Sequence, residues 1–174
     1  QRLVNNGKYD FAHDLLLEYR QNTGLTDFFS LEMGTFFSMR MAFDQAVREY
    51  LLFLETNPQQ FQTISDRIMV YPDAPDIISS ITTILIESQL GIAQFILADL
   101  QFKQKAYREG YETLKSNEAP PSMLLDYARD LVSVNEFTEA EKVLTDIISL
   151  NVEENVVTQA IFEIAKIFES KMII

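Results

Sequence analysis

His13 is the only histidine in this 174-residue chain, and there is no cysteine. These two facts limit the chemistry available. A zinc centre needs several imidazole or thiolate ligands, and a nucleophilic triad needs its histidine aligned between a hydroxyl and an acid. His13 follows Ala12 and precedes Asp14 with no second imidazole to join it, so it reads as a surface or satisfied side chain. Disulfides, thiolate metal sites and cysteine nucleophiles are excluded.

Carboxylates are the remaining acid–base candidates. They occur as close pairs at Glu139/Glu141, Glu153/Glu154 and Asp73/Asp76. General acid–base work requires two carboxyls in unlike environments that drive their pKa values apart. These pairs fall on polar helix faces and in turns, where both stay solvated. No calcium-loop spacing is present, and the five glycines are too scattered to cradle a phosphate. Neither a catalytic residue, a metal site nor a cofactor is therefore expected, and the chain reads as a non-enzyme.

The elements that carry these residues repeat. Tyr9/Ala12, Phe43/Ala46, Tyr107/Gly110 and Phe137/Ala140 each set an aromatic residue three positions before a small one. Four residues further stand Leu16, Tyr50, Leu114 and Leu144. Spacings of three and four place such residues on one helix face. The small residues are separated by 34, 64 and 30 positions, a period in the low thirties with one divergent unit in the middle. Upstream, Met33-Gly34 with Phe37 and Tyr127-Ala128 with Leu131 fall in the same register, as does Leu97-Ala98. Asn57-Pro58, Asn22-Thr23-Gly24 and the 117–121 stretch end helices. The pattern predicts helices over 9–21, 28–40, 43–56, 59–70, 75–88, 90–103, 105–116, 122–134, 136–149 and 153–171, with Asp27 and Ser122 as N-caps.

Taken together, Ser30, Met33-Gly34, Phe37, Ala46, Tyr50 and Pro58 resemble the tetratricopeptide repeat, a helix–turn–helix unit of 34 residues. Only the leading Trp of its signature is missing. The unit on Leu124, Tyr127-Ala128, Leu131, Ala140 and Leu144 is the second match, while residues 59–88 depart from the pattern. The resemblance implies an all-α fold, a right-handed solenoid of stacked antiparallel helix pairs spanning 1–174. Its units would be a half repeat at 1–26, then 27–58, a divergent 59–90, 91–120, 121–152, and a half repeat or capping helix at 153–174. It also implies that the first helix of each pair lines a concave face. By register that face takes Phe28, Leu31, Thr35 and Met39, then Arg67 with Gln60 and Thr63, then Phe95, Asp99 and Lys103, then Leu125 and Arg129 with Ser133. Thr35, Asp99 and Arg129 stand where some members carry the Lys and Asn that clamp a terminal carboxylate. A groove for a helix or extended segment is expected instead. Arg67 and Arg129 have a second reading, as partners of nearby acids. Among Met33, Met39 and Met41, core packing is expected ahead of an adaptable binding surface.

The formal charge of −12 argues against nucleic acid, which is bound by neutralising phosphates, and against anionic membrane surfaces. Solubility is the first explanation of the acidity and a basic partner the second. No apolar run reaches the roughly 18 residues of a spanning helix, so membrane insertion is not expected. The expected partner is a protein or peptide held by a scaffold or adaptor. The alternative is a structural spacer or self-assembly segment of a larger repeat protein, forming a homodimer through exposed helix ends. The opening Gln1, the apolar tail Lys171 to Ile174, and Phe162, Ile164, Ile167 and Phe168 in a last helix without a polar cap motivate that alternative and the expectation of a fragment of a longer chain.

Overall fold

The spacing of apolar residues becomes ten α-helices in a computed structural model, which describes residues 9–150 and 153–172, with side chains from 13 to 171 within those ranges. They are α1 (Tyr9–Thr23), α2 (Ser30–Met39), α3 (Phe43–Thr56), α4 (Phe61–Met69), α5 (Pro75–Glu87), α6 (Ile92–Lys103), α7 (Tyr107–Ser116), α8 (Pro121–Ser133), α9 (Phe137–Ser149) and α10 (Glu154–Met172). A short 3₁₀ turn, Pro58–Gln60, precedes α4. No strand occurs among the described residues. Every predicted helix has its counterpart, with ends displaced by two residues at most. The side chains of Tyr9 and Ala12, and Val152 and Ile173-Ile174, lie outside the described residues.

The expected N-caps are corrected. None of the helices α2 to α9 has a side-chain hydrogen bond from its N-cap residue. The helix α8 starts at Pro121, so Ser122 is already inside it. Proline suits the first helical position because its φ is preset and its missing N–H would have no partner there. Pro75 opens α5 for the same reason. Asp27 instead accepts a hydrogen bond from the Thr56 hydroxyl at 2.6 Å.

The chain divides into two compact units, Gln1–Leu90 and Gly91–Ile174. In the first, α2 and α3 form an antiparallel hairpin, and α3 also packs against α4 and α5. Its core contains Met33, Phe37, Ala46, Tyr50, Leu54, Ile64, Ile68, Ile81 and Leu85. In the second, α6–α7 and α8–α9 are hairpins, α7 packs on α8, and α10 lies against both α8 and α9. One cluster there runs from Ala98 through Leu131, Ala140 and Leu144 to Ala160 and Ile167.

The small residues act as the spacing implies. A Cβ on Gly34 would overlap the Tyr50 ring, so α2 and α3 touch there without a side chain between them. A Cβ on Gly110 would overlap the Tyr127 hydroxyl and stand 3.2 Å from the Ala98 carbonyl oxygen. Ala46, Ala98, Ala128 and Ala140 are fully buried.

The three hairpins also share one turn. Met41, Lys105 and Asn135 have φ of 60°, 61° and 65°, each seven residues after Gly34, Ala98 or Ala128. The next amide reaches back to the helix end: Ala42 to Phe37 O, Ala106 to Gln101 O, and Glu136 to Leu131 O, at 3.0, 2.9 and 2.9 Å. This is a Schellman ending, which satisfies otherwise unpaired carbonyls. Glycine is the usual occupant, and here Met, Lys and Asn hold it. Tertiary packing of the hairpins therefore outweighs a left-handed strain of about 1–2 kcal/mol per residue.

Candidate functional site

Each unit places its own share of the expected binding residues. Phe28 lies in the turn before α2 rather than in the helix, exposed and stacked on Tyr19 at 4.7 Å between ring centres. Leu31 is half-buried in the first turn of α2, and Met39 ends that helix with 81% of its surface exposed. Thr35 and Arg67 meet: the Arg67 guanidinium, from α4, donates to the Thr35 hydroxyl at 2.9 Å and lies 5.9 Å from the Tyr50 ring centre. Gln60 and Thr63 are exposed. Of the methionines, Met33 is core, whereas Met39 and Met41 are exposed.

In the second unit Phe95 is half-buried against the core cluster, and Asp99 and Lys103 are half-buried on α6. Leu125 requires correction. It is 3% exposed and belongs to the core, because it faces the helices packed on α8 and leaves nothing for a partner to touch. Arg129 donates to Glu163 at 3.1 Å and to Gln159 at 2.8 Å, both on α10, and to Asp126 at 3.1 Å. Of its two readings the structure shows the pairing with acids. Burial pushes the Glu163 carboxyl up, but hydrogen bonds from Lys166 and Arg129 outweigh it and hold the group below its ordinary value.

Thr35 and Arg129 occupy equivalent slots, each one residue after a small crossing residue. Both bond to a later helix of their own unit: Thr35 to α4 and Arg129 to α10.

Two polar constellations were not foreseen. Arg20 and Glu49 form a buried two-point ion pair, with distances of 3.1 and 2.8 Å and each residue 6% exposed. The same guanidinium donates twice to the Phe28 carbonyl at 3.0 and 2.9 Å, pinning the turn before α2. The only sequence signal was a charge inside the apolar stripe of α3, between Ala46 and Tyr50. In the second unit the buried Tyr111 donates its hydroxyl proton to Asp146, which also accepts from Lys115 at 2.7 Å. Those hydrogen bonds, Lys115 first, hold Asp146 below its usual range. Burial, then Asp146, raises Tyr111. The network joins α7 to α9 and is engaged in holding them together.

His13 sits edge-on to Phe37 at 5.8 Å. Among the described residues no three His, Asp or Glu side chains gather into a metal site, and no helix is long and apolar enough to cross a membrane. The class defined by the described residues is an all-α protein of packed helical hairpins. No protein-family model matches the chain, and no curated protein matches it in sequence.

Proposed function

We propose that this chain is a scaffold or adaptor rather than an enzyme, a right-handed solenoid of the tetratricopeptide type that holds a peptide or helix of a partner protein against its first helices. The observation that carries this reading is the pair of equivalent bridges, Thr35 to Arg67 and Arg129 to Glu163 and Gln159. In each unit they tie one first helix to another, so that a face of side chains is held at fixed spacing. The shared left-handed turn at Met41, Lys105 and Asn135 supports the same repeat. Binding needs such a rigid platform with exposed anchors, and Met39 and Phe28 supply them in the first unit.

A peptide-display selection against the chain tests this. Enriched peptides are expected to lose about tenfold or more in affinity in Met39→Glu, with the melting temperature little changed because Met39 is exposed. Peptides that bind the variant equally well would remove the first helices of unit one as the site.

A second reading, self-assembly, is favoured by one observation. Ile161, Phe162 and Phe168 on α10 are all more than half exposed, whereas Ala160, Glu163 and Ile167 of the same helix are buried. Apolar clusters of this kind mark contact surfaces. Light scattering on eluting protein should then show a dimer that grows with concentration and is abolished by Phe162→Glu with Phe168→Glu. A monomer at every concentration would end this reading.

A further inference from the structure

The turn that carries Phe28 and Phe29 into α2 opens a cleft of about 290 Å³. Its walls are Leu25, Phe28, Phe29, Leu31 and Phe53, and its rim carries Asp27 and Glu32. Leu25, Phe28 and Phe29 are each more than two-fifths exposed, and the equally exposed Tyr19 leans on Phe28. Phe29 has a φ of 63°, a left-handed conformation that costs a non-glycine residue about 1–2 kcal/mol. The Arg20 bonds to the Phe28 carbonyl hold this turn in place, so the exposed rings belong to a braced structure.

Size and charge together select the occupant. The volume falls at the foot of the roughly 300–1,000 Å³ range that takes whole small molecules, so it suits one large side chain better than a cofactor. Among the described residues no Lys or Arg lines the cleft. The nearby cation, Arg20, is neutralised by its buried pair with Glu49. The rim is therefore negative, in a chain of net charge −12. An anion is repelled there, while an apolar side chain flanked by Lys or Arg finds both an apolar wall and two carboxylates.

We infer that this cleft binds a basic peptide segment of a partner protein, taking one aromatic or large aliphatic side chain between Phe28, Phe29 and Phe53, with flanking cations against Asp27 and Glu32. The inference rests on the scaffold reading and names the chemistry of its partner.

The chain has no tryptophan, so tryptophan emission reports a bound probe alone. Two capped pentapeptides serve as probes, one Lys-Ala-Trp-Ala-Lys and one Glu-Ala-Trp-Ala-Glu. The lysine peptide should show a saturable blue shift that weakens as salt is raised, and the glutamate peptide should bind about tenfold more weakly. Asp27→Asn with Glu32→Gln should bring the two peptides together in affinity. Phe29→Ser should remove the shift, while circular dichroism confirms the helices are intact. No shift with either peptide, or equal shifts untouched by these variants, overturns the proposal. A lysine-peptide shift that survives the cleft variants but is lost in Arg67→Ala overturns the cleft while leaving the scaffold reading in place.

Discussion

Replacing Glu49 by alanine is expected to destabilise the first unit by about 3–5 kcal/mol, the cost of leaving one member of a buried ion pair alone. Arg20 is 6% exposed, and among the described residues Glu49 is the carboxylate paired with its guanidinium. Without Glu49 its charge stays in a low-dielectric setting with, among the described residues, the Phe28 carbonyl to accept its protons. Arg20→Met with Glu49→Leu should recover most of the loss, since apolar replacement of a buried pair is often neutral or better. The remaining deficit is the Phe28 carbonyl, which loses both donors. Denaturant unfolding gives the magnitude. Hydrogen exchange read residue by residue should place the loss in α1 to α3, because two compact units need not open together. A loss below about 1 kcal/mol, the range of exposed pairs, would mean that water reaches the pair in solution.

The second large effect is opposite in sign to ordinary expectation. Glycine in a helix interior normally gains about 0.5–1 kcal/mol on replacement by alanine. At Gly34 the same change should instead cost about 1–3 kcal/mol through overpacking. The added Cβ would fall on the ring of Tyr50, which is buried and whose hydroxyl lies 3.2 Å from the Ser38 hydroxyl. The ring cannot swing aside without breaking that contact. Tyr50→Leu in the Gly34→Ala background should recover part of the loss, a coupling that a double-mutant cycle measures directly. Gly91 is the control, with no atom within 4 Å of its would-be Cβ, and Gly91→Ala should be close to neutral. If Gly34→Ala proved neutral or stabilising, the close crossing of α2 and α3 would be refuted.

Much of this architecture is legible in the order of residues. Apolar side chains three and four apart define a helix wherever they occur, and proline or an Asn-Thr-Gly run ends one, because both effects act over a single turn. The small residues Gly34, Ala46, Gly110 and Ala140 mark the crossings for an equally local reason: nothing larger fits where two backbones meet. Other features depend on how helices are rotated and slid against each other. Arg20 finds Glu49 across 29 positions, and Tyr111 finds Asp146 across 35, with no short-range pattern to announce either. Register alone put Leu125 on a binding face, and the packing of α7, α9 and α10 around α8 buried it. Closeness in sequence grouped Met33 with Met39 and Met41 as expected core, although the first is buried and the other two stand in solvent. The left-handed turns at Met41 and Lys105 carry residues with no preference for that conformation, so only the closed hairpin selects it. Local spacing writes the helices and their contact stripes. Which polar group meets which is decided when the stripes pack, since a shift of one residue along a helix turns its side chains by about 100°.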